Sequence, residues 1–378
     1  MPNFNGQLRS NEIFAALFNM IISQHVFADN ISSHYSSLVD KARVDGSLYG
    51  DTKLYYSTDV LKSAPWGNDA EAANLLALSR PMAPKVQAIY IDQFRQISLT
   101  VDDYLSKRAW STPDAFSSFN SVMMGWIRET KKIYDTTLYN AYIGTAESQA
   151  ERASVTIAMP AEGDNDTSAS YSAARAKTIA TELADLLVEI KDISRDFNDY
   201  GYLRGYDPED LVVVWNAEIW NEIKKTDLAS TYFAQDLIDK FDGEKLPARY
   251  FGTVNTNAAT GNALGTIRSL VEIDFNSVPM DNPAYDPKKH VFPGDAIPED
   301  VQVSPLVVNG VTVPQTYTVN PNKAFVIMHK RSVPYMSAFE VGTSFFNPKS
   351  LTETHYITWG HNSLEHLKNY PFITLRTA

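Results

Sequence analysis

Between Val86 and Val101 the chain alternates: Ile89, Ile91, Ile97, Leu99 and Val101 fall on one parity, and Tyr90, Asp92, Gln96, Ser98 and Thr100 on the other. A period of two places successive side chains on opposite faces of an extended strand. At ~3.3 Å per residue these sixteen positions reach roughly 50 Å, too long for an ordinary strand inside one compact core. Leu54 and Tyr56 begin a second extended stretch, and Pro65, Trp66, Gly67, Asn68 and Asp69 mark a tip between the two. The expectation is a long two-stranded β projection whose edges must find a neighbour.

Around this projection the periodicity changes. Residues 1–49 read as a mostly helical arm, with Phe14, Leu17, Phe18 and Ile21 on one side. Ser111 and Thr112 supply a cap and Pro113 a first helical residue that needs no donor. Phe116, Phe119, Met123, Ile127, Tyr134, Leu138 and Tyr142 then hold one face as far as Gly144. That predicts a helix over 113–143, near 46 Å at ~1.5 Å per residue. Val155–Met159 reads as a short strand, and Ile179, Leu183, Leu186, Ile190, Ile193 and Phe197 predict a second helix with an acidic outer face. Further strands are expected at Leu211–Trp215, Ile267–Phe275, Leu306–Val313, Ala324–His329 and His355–Trp359, with a short helix at Ala217–Lys225 and a Pro- and Gly-rich loop over Ser277–Ala296. A chain of 378 residues with this mixture reads as α+β, in more than one domain.

Composition narrows the chemistry. Lys and Arg number 33 against 45 Asp and Glu, a net charge of −12, which argues against wrapping nucleic acid by charge alone. The chain has no Cys, and thiolate metal sites, a cysteine nucleophile and disulfides go with it. The apolar run Ile13–Ile22 is interrupted by Asn19 and preceded by Glu12, unlike a secretory signal, and no run approaches the roughly 20 apolar residues of a membrane span. A soluble protein made in a reducing cytoplasm is expected. Aromatic residues make up 12%, a density suited to protein contacts as well as cores.

One stretch invites an enzymatic reading. LVVVWNAEIWNE (Leu211–Glu222) sets Glu218 and Glu222 after a buried strand, beside Trp215 and Trp220; paired carboxylates with an aromatic platform are what glycoside hydrolysis requires. Against it, Ile219 and Ile223 form one helical face with the glutamates opposite, and a barrel would need eight strand–helix units. His355, His361 and His366 match no metal-ligand spacing, GNALGT lacks a phosphate-loop Lys, and Asp164 and Asp166 are not followed by the Glu that completes a calcium loop.

The order of parts is more informative than any motif. IDQFRQISLTVDDYLSKRAWSTPDAFSSFN (Ile91–Asn120), IRETKKIYDTTLYNAYIG (Ile127–Gly144), NPNKAFVIMHKRSVPY (Asn320–Tyr335) and FFNPKSLTETHYITWGH (Phe345–His361) are similar to segments of the major capsid proteins of small short-tailed, podovirus-type, double-stranded DNA bacteriophages. The resemblance implies an α+β Hong Kong 97-type capsid fold. Its parts would be an N-terminal arm over 1–49, a β-hairpin extended loop over 50–97, a peripheral domain over 98–165 and 345–378 with the spine helix 113–143, and an axial domain over 166–344. It implies a structural subunit without catalytic residues, cofactor or metal, which assembles as pentamers and hexamers into an icosahedral shell around double-stranded DNA. Partners implied are further copies, a separate scaffolding protein, a portal protein and a decoration protein, with no membrane. The expected location is the virion capsid, after synthesis in the host cytoplasm. Trp66, Arg80, Lys85, Arg95, Lys107 and Arg108, along or after the loop, are the candidate inter-subunit contacts, each otherwise a solvated side chain. The alternatives are a carbohydrate-active hydrolase using Glu218 and Glu222, and a shell of the same fold that holds protein cargo.

Overall fold

A computed structural model of the chain describes residues 37–45, 52–61, 63, 80–102, 113–160, 168–225, 243–255, 263–266, 306–308, 311–313, 316–319 and 323–377. In chain order the elements are α1 (Ser37–Ala42), β1 (Arg43–Asp45), β2 (Thr52–Ser57), β3 (Lys85–Asp102), α2 (Pro113–Thr145), β4 (Ser154–Ile157), α3 (Ser168–Lys191), β5 (Leu211–Asn216), α4 (Ala217–Lys225), β6 (Glu244–Leu246), β7 (Gly252–Asn255) and β8 (Ala263–Thr266). There follow β9 (Leu306–Val308), β10 (Val311–Val313), β11 (Thr316–Val319), β12 (Lys323–His329), β13 (Tyr335–Asn347), β14 (Thr352–Asn362) and β15 (Phe372–Thr377). Most of the arm, the tip Pro65–Asp69, Asp164 and Asp166, the Ile267–Phe275 strand and the Ser277–Ala296 loop lie outside the described residues.

The long alternating strand exists, but its partners differ from expectation. β3 sits inside a five-stranded sheet of order β1-β13-β14-β3-β2. Its first six residues pair with β2, from Ser57 opposite Lys85 to Thr52 opposite Tyr90. From Ile91 to Asp102 the antiparallel partner is β14, itself half of a hairpin with β13. The projection is therefore not a free ribbon: the β13–β14 hairpin runs along the length that β2 leaves unpaired.

The second sheet has the order β4-β15-β12-β5-β6, with β12 antiparallel to both neighbours. Its central strands β5 and β12 are nearly continuous apolar runs because both their faces are covered. Val213 and Trp215 of β5 share one face with Phe325 and Ile327 of β12, and pack under Ile179, Leu183, Leu186 and Ile190 of α3. Val214, Val326 and Met328 face the other way, against Leu138, Tyr139, Tyr142 and Ile143 of α2. The sheet is thus sandwiched between two long helices. It draws β15 and β4 from the segments expected to be peripheral and β5, β6 and β12 from those expected to be axial. Among the described residues no helix is long and apolar enough to cross a membrane.

The C-terminal end of α2 meets this sheet through Lys323, whose ammonium donates to the Gly144 carbonyl at 3.1 Å and lies 3.6 Å from Glu147. The lysine supplies a donor to one of the carbonyls that a helix end leaves unpaired. Its side chain is 3% exposed, and burial brings its pKa down to about 8 even though Glu147 opposes the shift. An unfolded chain would keep that proton up to about 10.5. Between these values the unfolded state binds more protons, so stability rises with pH, and the cost of the buried charge is fully present below about 8. Buried Tyr139 and Tyr335, both held neutral well above their ordinary range, reverse the slope above pH 10. We expect urea unfolding of the unassembled chain to show a gain between pH 8 and 10, out of about 3 kcal/mol across the whole window. Lys323→Met should flatten that slope; an unchanged slope would exclude Lys323 as its source.

Candidate interaction surface

β2 and β3 show one face to the body and one to solvent. Ile89 and Ile91 pack inward with Met336 and Leu367. On the outer face Leu54 and Tyr56 stand opposite Ala88 and Val86, with Tyr90 further along the strand. A solvated strand face would normally be polar, yet Tyr56 is 66% exposed, Tyr90 55%, Leu54 49% and Val86 47%. A register shift between Ile91 and Gln93 reverses the faces of β3, so Phe94, Gln96 and Thr100 lie on the opposite face from Tyr90. That face is polar beyond Phe94: Gln96 donates to Thr358 at 3.0 Å, and Thr100 and Thr354 share a hydrogen bond. The far end of the sheet is apolar again, with Phe345, Phe346 and Leu351 exposed at the turn of the β13–β14 hairpin.

The root of this surface is clamped to the segment Ser194–Arg204. Asp59 accepts from the Arg195 guanidinium at 2.7 Å and from the Leu203 amide at 3.0 Å. Arg204 donates to the Thr58 carbonyl at 2.9 Å, and the Tyr202 hydroxyl to that of Ser57 at 3.4 Å. The Arg195 and Leu203 hydrogen bonds hold the Asp59 carboxyl down at about 2, so the clamp stays charged through physiological pH. Lys85 closes the opposite strand, its ammonium 4.7 Å from the centre of the Tyr200 ring and 5.4 Å from that of Tyr202. Sequence reasoning passed over Asp59 because its partners lie some 140 residues away and no local pattern marks them.

Where the sheet crosses α2, buried polar groups are paired in chains. Arg95 donates through Nε to the Tyr134 hydroxyl at 3.1 Å. His361 has one ring nitrogen, Nδ1, on the Asn362 carbonyl, which can only accept, so Nε2 is the acceptor for the Tyr134 hydroxyl. Burial lowers the His361 pKa and keeps the ring neutral, in keeping with that direction. One turn away Lys131 and Asp135 form an ion pair at 3.1 Å, and Asp135 also accepts from Tyr335 at 2.6 Å.

The six candidate contact residues fall into three groups. Trp66, Lys107 and Arg108 lie outside the described residues. Arg80 is exposed just before β3. Lys85 and Arg95 are engaged within their own chain, on Tyr200 with Tyr202 and on Tyr134 respectively. Glu218 and Glu222 occupy successive turns of α4, with Glu218 exposed, and the strand before them belongs to an open sheet rather than a barrel. The Asn216 side chain caps α4 by accepting from the Glu218 amide. The three C-terminal histidines diverge: His361 turns to Tyr134, His366 pairs with Asp199 at 2.8 Å, and His355 lies 4.0 Å from Glu353.

Comparison with known proteins gives these features a family. A family model described as Phi29-like phage major capsid protein matches residues 5–374. The fold is similar to that of a chain in the capsid of Staphylococcus phage Andhra, with a TM-score of 0.58 and 11% identity over 100% of this chain and 88% of that one. A chain from the structure of the head fibre and inner core protein of native bacteriophage P68 gives a TM-score of 0.61 and 12% identity, again over 100% and 88%. No curated protein matches the sequence significantly. The mixed fold is that of the Hong Kong 97-type phage capsid proteins, and the chain belongs to the family of Phi29-like phage major capsid proteins.

Proposed function

We propose that copies of this chain, made in the host cytoplasm, form pentamers and hexamers that close into an icosahedral shell around double-stranded DNA. The observation that carries the reading, besides family, is the apolar outer face of β2 and β3, which the chain's own described residues leave open. In this reading residues 1–49 are the arm, 50–97 the extended loop, 98–165 with 345–378 the peripheral domain and 166–344 the axial domain. The Asp59 clamp sets the direction in which the loop leaves the body. Trp66, Arg80, Lys107 and Arg108 reach adjacent copies, while Lys85 and Arg95 hold the loop's base in place and present their remaining surface to a neighbour. A separate scaffolding protein guides curvature, a portal occupies one vertex, and a decoration protein sits on the finished shell. A net charge of −12 suits a wall that encloses DNA without binding it tightly.

Size-exclusion chromatography with light scattering, followed by negative-stain microscopy, tests this on the full chain expressed with and without a scaffold. Rings, shells, tubes or sheets are the expected products. A monomer of 42.2 kDa at high concentration under both conditions would overturn it. Replacing residues 62–79 by a short flexible linker should leave a folded chain that no longer closes shells; normal shells from that variant would remove the loop tip from assembly.

A further inference from the structure

Where the first sheet crosses α2, hydrogen bonds run in one direction through three elements. Arg95 of β3 donates to the Tyr134 hydroxyl of α2 at 3.1 Å, that hydroxyl donates to Nε2 of His361 on β14 at 3.1 Å, and Nδ1 donates to the Asn362 carbonyl at 3.0 Å. Arg95 has donors only, which fixes the direction from that end. At the other end Asn362 is held in place, its side chain accepting from the Met336 amide at 2.7 Å and donating to the Pro334 carbonyl at 3.1 Å. His361 is 1% exposed, with the Tyr134 and Tyr335 rings centred 5.6 and 5.9 Å from its own.

A proton added at Nε2 has no place in this chain of bonds. The nitrogen that receives the tyrosine's hydrogen becomes a second donor to the same oxygen, and the hydroxyl hydrogen loses its acceptor. Imidazolium and guanidinium nitrogens would each stand 3.1 Å from that oxygen, so two cations would lie within about 6 Å of each other where little water screens them. The carboxylates that could offset this are engaged: Asp135 by Lys131 at 3.1 Å and Tyr335 at 2.6 Å, and Asp92 by the Ser363 amide and hydroxyl at 2.6 and 2.5 Å. The charged and titratable groups around the ring are thus Lys131, Tyr134 and Asp135 from α2, Asp92 and Arg95 from β3, and Tyr335 from β13. Burial outweighs the carboxylates and lowers the His361 pKa from its ordinary 6.5. As pH falls the unfolded chain takes up this proton first, so the stability that the neutral ring contributes is present above about 6.5 and lost progressively below it.

The two halves of α2 answer acid differently. Leu138, Tyr139, Tyr142 and Ile143 hold its C-terminal half in the core by apolar packing, which mild acid leaves alone. Between Lys131 and Asp135 the helix instead meets the first sheet through the Tyr134 hydroxyl, the Asp135–Tyr335 hydrogen bond and the Trp359 ring. We infer that His361 is an acid-operated latch: a proton taken up by its ring frees β3 and β14 from α2 where they cross, while the second sheet keeps its hold on the helix. The latch lies within one chain and stands whether or not copies close into a shell.

The chain has no Cys, so two exposed positions can carry spin labels without interference. Lys132→Cys on α2 and Ser98→Cys on β3, both exposed, report the separation of helix and sheet by double electron–electron resonance on the unassembled full chain. A single distance is expected at about pH 7.5, and at about pH 5 a longer population at least tenfold more abundant. Histidine-selective NMR should show an imidazole that titrates below 6.5 with the same midpoint as the distance change. That resonance should be missing from His361→Gln, whose amide oxygen still accepts from Tyr134 but never charges, and in this variant the short distance should persist at both pH values. An unchanged distance in the otherwise wild-type chain, a His361 midpoint at or above 6.5, midpoints more than about one unit apart, or an acid response kept by His361→Gln would each overturn the latch. Should His361→Gln fail to fold, the two midpoints decide the matter without it, the His361 resonance then being assigned by its broadening from the label at position 98.

Discussion

Asp135→Ala should cost the chain about 3–5 kcal/mol, one of the two largest losses expected of a single substitution here. The carboxylate has 3% of its side chain exposed and is shared between the Lys131 ammonium at 3.1 Å and the Tyr335 hydroxyl at 2.6 Å. Lys131, 8% exposed, would lose its carboxylate partner in a site from which water is largely excluded, with the Trp359 ring 5.7 Å away. Most of the loss is thus the removal of a buried acceptor shared by the ammonium and the Tyr335 hydroxyl rather than the net worth of the pair. The double change Lys131→Met with Asp135→Leu removes both charges and should return the chain to within about 1–2 kcal/mol of the wild type. Urea unfolding of the unassembled chain distinguishes the cases. A loss below 1 kcal/mol for Asp135→Ala would mean that solvent reaches the pair, and a double variant as weak as the single one would mean that the charges themselves hold α2 on the sheet.

Much of the local structure is legible because long elements repeat their period many times. β3 alternates over its whole length and α2 keeps a single apolar face, so each extends only about two residues beyond its expected bounds. LVVVW reads correctly as a strand buried on both faces, since Val213 and Val214 belong to different cores. The second helix shows where periodicity misleads. Its spacing continues to Phe197, which is buried, but α3 ends at Lys191. The chain has doubled back: the Tyr206 amide donates to the Ile190 carbonyl at 3.0 Å, and Gly205 passes so close that a Cβ there would sit 2.5 Å from the Lys191 carbonyl oxygen.

What pairs with what is the poorly legible part. β14 lies about 260 residues after its partner β3, and β15 completes a sheet begun at β4 more than 200 residues earlier. Nothing local in either strand names its neighbour, so the sequence suggested a two-stranded ribbon where the fold builds a five-stranded sheet. The same holds at the surface. Positive charge along the loop is visible in the sequence, but not that Lys85 stacks over tyrosines from residues 200 and 202 or that Arg95 turns to Tyr134. The apolar parity of Leu54, Tyr56, Val86 and Tyr90 could have been read as an unpolar outer face, had the inner parity been recognised as already sufficient for a core.

Two glycines of α2 should respond with opposite sign to the same substitution. In a helix interior Gly→Ala ordinarily stabilises by about 0.5–1 kcal/mol, because Ala loses less backbone freedom on folding. Gly125 has nothing within 4 Å of where a Cβ would be, so Gly125→Ala should show that gain. Gly144 is different: a Cβ there would overlap the Tyr250 carbonyl oxygen and come within 2.6 Å of its carbon and 3.1 Å of the Phe251 nitrogen. These are backbone atoms of the helical turn Ala248–Phe251, and Phe251 is itself fully buried in the core beneath α2, so neither side can yield by rotating a side chain. The Gly144 carbonyl is also the acceptor for Lys323, so displacing this end of the helix would strain that buried contact as well. Gly144→Ala is therefore expected to destabilise by about 2–3 kcal/mol and Gly144→Val by more. Parallel thermal and urea unfolding of the two alanine variants reads the difference directly. A gain at both positions would show that the turn at Tyr250 can move away from α2, and that the close approach is not what fixes it there.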